Sequence, residues 1–158
     1  MSVDLLLIDA IPETTLGVYD LIVVGPDTGY LDSWDGKSGV AAIEQSGRPV
    51  LGLGEGGYAL FGKLGLEIGS PNGASGRAGR TIIPVSPRHP IFNVPYPITF
   101  GRGGTVELYH KDSPMVAFYL PPKMVIRLAE WDKNSSYYPL VKQDPGDLLW
   151  GFDGPPRA

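Results

Sequence analysis

The string Gly52-Leu-Gly-Glu-Gly-Gly57 constrains this chain more than any other stretch. It follows the apolar run Pro49-Val-Leu-Gly-Leu53 and precedes Tyr58, Leu60, Phe61 and Leu64, which recur at helical spacing until Gly65. A backbone that leaves a buried strand and enters a helix through such a turn bends sharply and packs close to the next strand. Only very small residues permit that. Upstream, Val3 to Ile8 and Asp20-Leu-Ile-Val-Val24 are further apolar runs of the kind that suits strands buried on both faces. Ser38 to Gln45 is a short helix candidate stopped by Ser46-Gly47. Strand, helix, strand, glycine turn and helix in this order predict a right-handed α/β crossover with a parallel sheet.

The pattern changes after about residue 68. Ser70 to Gly79 is small, polar and glycine-rich and reads as an exposed loop. Beyond it lie short apolar or alternating segments: Thr81 to Val85, Pro97 to Phe100, Thr105 to Tyr109, Met115 to Leu120, Val125 to Glu130, Tyr137 to Lys142 and Asp147 to Phe152. These predict a β-rich second half, with Gly101-Arg-Gly-Gly104 as a hairpin turn and Pro121-Pro122 as a break. The 158 residues suit a single domain over positions 1–158, standing alone or as a module of a longer protein. The tail after Asp153 reads as a frayed end or a linker.

Composition removes several function classes. Glycine (22) and proline (16) are about twice their usual share, yet 42% of residues are hydrophobic, which a disordered chain would not carry. Thirteen basic residues against 17 acidic ones leave a net charge of −4, and the basic ones are scattered between Lys37 and Arg157 instead of forming a stripe. Nucleic acid is therefore not the expected partner. No apolar run is long enough to cross a bilayer, and Asp4 and Asp9 flank the short N-terminal apolar stretch with no basic region before it. A soluble chain without a signal peptide or membrane partner is expected. The absence of cysteine excludes disulfides, thiolate metal sites and a cysteine nucleophile.

The glycine turn could in principle cradle a phosphate at the helix start. It lacks the Lys-Ser/Thr ending of a P-loop, and no acid follows a second strand at the dinucleotide-binding distance, so no nucleotide or other cofactor is expected. What YDLIVVGPDTG, a helix and then RPVLGLGEGGYALFGKLGLEIG resemble, over roughly Val18 to Leu66, is the class I glutamine amidotransferase-like superfamily. There a strand enters a G-x-C-x-G nucleophile elbow followed by a helix. Arg88-His-Pro-Ile91 and Leu149-Trp-Gly-Phe152 resemble segments of its noncatalytic and trehalose-utilisation (ThuA-like) branches. The resemblance implies a three-layer, flavodoxin-like fold with a parallel sheet.

The same resemblance implies lost chemistry. Gly52 and Gly56 match the flanking glycines, but the nucleophile position is Gly54, which has no side chain to attack an amide. The family's His-x-Glu pair is also missing; the two histidines are His89 and His110, and they carry no third ligand pattern for a metal. Only about ten residues join Ile8 to Leu21, too few for the helix that usually precedes this strand. Either the first crossover is degenerate or its missing strand lies elsewhere in a longer protein.

Glu55, at a helix start and at the carboxyl end of a strand, lies where open α/β sheets bind ligands, although the helix dipole alone favours an acid there by about 0.3–1 kcal/mol. Asp27 follows an equivalent strand end and either faces Glu55 or simply shapes a turn. The expected ligand site is thus Asp27, Gly54, Glu55 and Gly56, with no catalytic or metal-binding residue. Its occupant would be a polar small molecule or carbohydrate, with Tyr30, Trp34 and Tyr58 as candidate aromatic surface at the rim. Arg77 and Arg80 read as solvated. The leading expectation is a noncatalytic binding or scaffolding module with a protein partner or a second copy. The alternative is a hydrolase acting on a carbohydrate or similar ligand through carboxylates such as Asp27 and Glu55.

Overall fold

The computed structural model describes residues 2–66, 68–119, 126–131, 137–138 and 140–142. The chain is mixed α/β and divides into two compact units, Met1–Ser70 and Pro71–Arg157.

In the first unit, β1 (Ile22–Val24) and β2 (Val50–Gly52) pair in parallel, with Ile22 opposite Val50 and Val24 opposite Gly52. Helix α1 (Lys37–Ser46) joins them and α2 (Gly54–Lys63) follows β2. The predicted strand, helix, strand, helix order with a parallel strand pair is therefore present. Helix α1 stops where Gly47 turns left-handed (φ 62°) and returns its N–H to Glu44 O. At the end of α2, Leu66 N–H reaches back to Phe61 O at 2.9 Å, the six-to-one bond of a Schellman turn.

One core cluster serves both helices. Ile43 of α1 and Ala59, Leu60 and Leu64 from α2 and its end pack with Val24, Ile11, Leu16 and Trp34, and Ile22 and Val50 lie against them. On the sheet's other face, Val23 and Leu51, which are cross-strand partners, stand 53% and 45% exposed among the described residues. The expectation of strands buried on both faces is thus corrected to one covered face. Val3 to Ile8 is not a strand either. Residues 2–7 carry no regular structure, and Ile8–Glu13 forms a 3-10 turn that packs through Ile8 and Ile11. An apolar run becomes a strand only where a neighbour supplies backbone partners, and this one has none among the described residues.

The second unit is antiparallel. Strands β3 (Gly73–Gly79), β6 (Ser113–Tyr119) and β8 (Tyr137–Tyr138) form one sheet in the order β3-β6-β8. Strands β4 (Thr81–Pro84), β5 (Val106–Glu107), β7 (Ile126–Trp131) and β9 (Leu140–Lys142) form the other, in the order β5-β4-β7-β9. Ile82, Phe92, Val106, Leu128 and Ala129 make its core. The β-rich reading of this half holds, with four corrections. Tyr137 to Lys142 is not one strand but two, β8 and β9, in different sheets. Gly101 to Gly104 is not a hairpin turn between paired strands: Arg102–Gly104 forms a 3-10 turn. The expected loop at Ser70 to Gly79 contains β3, which pairs with β6 across a register shift between Ala74 and Arg77. Pro97 to Phe100 is not a strand; Phe100 instead packs edge-on against Phe92, ring centres 6.3 Å apart. The expected strand Asp147 to Phe152, the tail beyond it and the Leu149-Trp-Gly-Phe152 segment lie outside the described residues.

Candidate functional site

The carboxyl ends of β1 and β2 lie side by side because their strands are parallel and in register. Leu53 N–H donates to Val24 O at 2.9 Å, and three residues later Gly56 N–H donates to Pro26 O at 3.2 Å. The chain leaving β1 makes a four-residue turn, Gly25-Pro-Asp-Thr28, closed by Thr28 N–H to Gly25 O at 3.3 Å and by the Thr28 hydroxyl to the same oxygen at 2.8 Å. Proline fixes φ at the second position of such a turn and aspartate is at home at the third. The structure therefore brings the segments bearing Asp27 and Glu55 together through their backbones. Asp27 is exposed and Glu55 half-buried.

The turn from β2 into α2 is sharp and closely packed. Leu53 is extended (φ −109°, ψ 133°), and Gly54 then enters α2 with φ 53°, in the left-handed region that strains any residue with a side chain. A Cβ at Gly54 would stand 2.8 Å from Pro26 Cβ and 3.4 Å from Pro26 Cα. The space a nucleophile's side chain would need is filled by a proline ring, which cannot rotate away. The helix start is also engaged by the protein, since Pro26 O accepts the Gly56 N–H that could otherwise hold an anion or oxyanion.

Crowding extends along the turn. A Cβ at Gly56 would collide with Gly25 O, and one at Gly57 with the Gly52 backbone. A Cβ at Gly52 would stand 2.6 Å from the Phe61 ring. These glycines let α2 lie directly on β2 and on the turn after β1. Their primary work is close packing, and the sequence pattern that suggests a ligand loop is accounted for by that contact.

The other candidates separate cleanly. Trp34 is 2% exposed and Tyr58 is also buried, so both belong to the interior and not to a rim. The Trp34 indole N–H has no hydrogen-bond partner among the described residues. Tyr30 is exposed, as a rim residue would be. His89 Nδ1 accepts the Ile91 N–H at 3.2 Å and so caps the 3-10 turn Pro90–Phe92. Among the described residues no three His, Asp or Glu side chains gather as metal ligands, and no helix is long and apolar enough to cross a membrane.

Arg80 is exposed, as expected of a solvated cation. It lines a cleft of about 430 Å³ in the second unit, together with Thr81, Ile98, Thr99, Thr105 and Glu107. Sequence reasoning missed this cleft because its walls come from three separated stretches, and no motif links them. No protein-family model, curated protein or solved structure matches the chain.

Proposed function

We propose that the chain is a noncatalytic binding or scaffolding module of the glutamine amidotransferase-like kind, working within a larger protein or assembly. Its flavodoxin-like, three-layer form would be completed by a layer over the sheet face that carries Val23 and Leu51. The observation that carries the reading is the pairing of Gly54 with Pro26. A strand bends into a helix through a left-handed residue, as a nucleophile elbow does, and a proline ring takes the place of the attacking side chain. Replacing a nucleophile by glycine removes the chemistry; filling its space removes room for a substituted one. Any ligand of this edge would be a polar molecule or carbohydrate held by the Asp27 and Glu55 side chains beside the crowded Gly54–Gly56 turn, bound without being cleaved.

The test offers the purified full chain L-glutamine and a set of aryl glycosides. No release of ammonia or of the aryl alcohol above buffer is expected. Glu55→Gln should leave the circular dichroism spectrum and the oligomeric state unchanged, because Glu55 is only half-buried. Turnover that vanishes in Glu55→Gln would overturn the noncatalytic reading in favour of the carboxylate hydrolase.

A further inference from the structure

The cleft of the second unit is built on a fixed frame. Its floor is the β4–β5 pair, where Thr81 lies opposite Glu107 and Ile82 opposite Val106. Ile82 and Val106 are buried in the core, so alternation puts Thr81 and Glu107 on the outer face. Arg80 O accepts the Leu108 N–H at 2.7 Å, which ties the start of β4 to the end of β5. The opposite wall is the segment from Ile98 to Thr105. Ile98 N–H donates to Phe92 O at 2.9 Å, and Phe100 rests on Phe92, so the wall is pinned to the core at two points. The end of that wall is closed by Gly101 N–H to Thr105 O at 2.7 Å and by the Thr105 hydroxyl to Arg102 O at 3.2 Å. A cleft whose walls are held by backbone bonds needs little reorganisation to accept a ligand.

Its chemistry is of mixed sign. Arg80 and Glu107, one residue of each charge, line the same space and form no ion pair with each other among the described residues. Three threonines, Thr81, Thr99 and Thr105, supply hydroxyls, and Ile98, 40% exposed, offers an apolar surface. The volume lies within the range of about 300–1,000 Å³ usual for small-molecule sites. A simple anion would be repelled by Glu107 and a simple cation by Arg80. A molecule bearing both charges would satisfy each group, since guanidinium binds carboxylate by paired hydrogen bonds and carboxylate binds ammonium.

We propose that this cleft binds a small zwitterion with an apolar body, an aliphatic α-amino acid, with its carboxylate on Arg80, its ammonium on Glu107 and its side chain against Ile98. The site lies wholly within the second unit and does not depend on the reading of the glycine elbow.

The experiment titrates the isotope-labelled full chain with L-leucine, N-acetyl-L-leucine, L-leucinamide and glucose, following backbone amide signals. L-leucine should shift Thr81, Thr105 and Glu107 saturably, whereas the two blocked derivatives should bind at least tenfold more weakly and glucose should leave these signals unmoved. Arg80→Gln should weaken L-leucine at least tenfold while erasing its advantage over L-leucinamide; Glu107→Gln should do the same relative to N-acetyl-L-leucine. Both positions are exposed, and unchanged signals from Ile82 and Phe92 would verify that the variants fold. The proposal is overturned if L-leucine produces no saturable shift, if glucose saturates the cleft in its place, or if both variants bind L-leucine as the parent does.

Discussion

Two glycine-rich stretches, one in each unit, use glycine in opposite ways. In Met1–Ser70 the glycines of the elbow are crowded: Gly52, Gly54, Gly56 and Gly57 each meet backbone or ring atoms where a Cβ would be. In Pro71–Arg157, Gly103 and Gly104 have nothing within 4 Å of that position, and Gly101 meets only Thr105, with the hydroxyl at 3.3 Å. At Gly52 to Gly57 glycine lets a helix press onto a parallel pair of strands; at Gly101 to Gly104 it turns the chain where little approaches. A glycine-rich string is therefore ambiguous in a sequence. Its meaning depends on what approaches it, and at Gly54 the approaching group is a proline 28 positions earlier.

The largest effect that would sharpen this contrast is Gly57→Ala against Gly101→Ala. The first forces a methyl into the Gly52 backbone and should cost about 3 kcal/mol or more, read as a collapse of the urea midpoint; the second should cost under about 1 kcal/mol. Equal costs would remove the distinction. Next come the two core leucines: Leu60 is 0% exposed in the first unit and Leu128 1% exposed in the second. Replacing either by alanine should cost about 2–5 kcal/mol. Amide exchange should show the loss of protection concentrated in the unit that was changed. Gly47→Ala should cost only about 1 kcal/mol, since the helix end has open space around Gly47 and the penalty is that of the left-handed backbone alone.

The smallest effect concerns the N-terminal segment. The Tyr19 hydroxyl donates to the Asp4 carboxylate at 3.0 Å, and this hydrogen bond, with a smaller contribution from desolvation and the Asp4 charge, raises the Tyr19 pKa above its ordinary 10.0. A group whose pKa is raised by folding stabilises the fold fully below its unfolded value and loses that contribution as the pH climbs through the folded one. The Tyr19 bond should therefore be intact at neutral pH and vanish only above pH 10. Asp4→Asn should bring Tyr19 titration back toward 10.0 in an ultraviolet absorbance titration.

Local order was legible. The α1 boundaries follow from its apolar spacing and from Gly47, and the passage from β2 through glycines into α2 follows from residues within about fifteen positions of one another. What depends on distant partners was not. Gly73–Gly79 holds residues of poor strand propensity, and β3 exists because Ser113–Tyr119 pairs with it. Val3 to Ile8 has the right composition for a strand and no strand partner among the described residues. The candidate site was half legible: strand order placed Asp27 and Glu55 on adjacent stretches, but only coordinates reveal that Pro26 fills the space over Gly54. The Arg80–Glu107 cleft needed the β4–β5 register, which no local pattern encodes.

The filling of the elbow by Pro26 is tested most directly by a double-mutant cycle on unfolding free energy with Gly54→Ala, Pro26→Gly and the pair. If the ring occupies the side-chain space of position 54, alanine there costs more than the roughly 1–2 kcal/mol of left-handed strain, and removing the ring recovers the excess, giving a coupling of about 1 kcal/mol or more. Strictly additive costs, with Gly54→Ala no worse than that strain, would mean that the space is open and that the elbow could still hold a nucleophile.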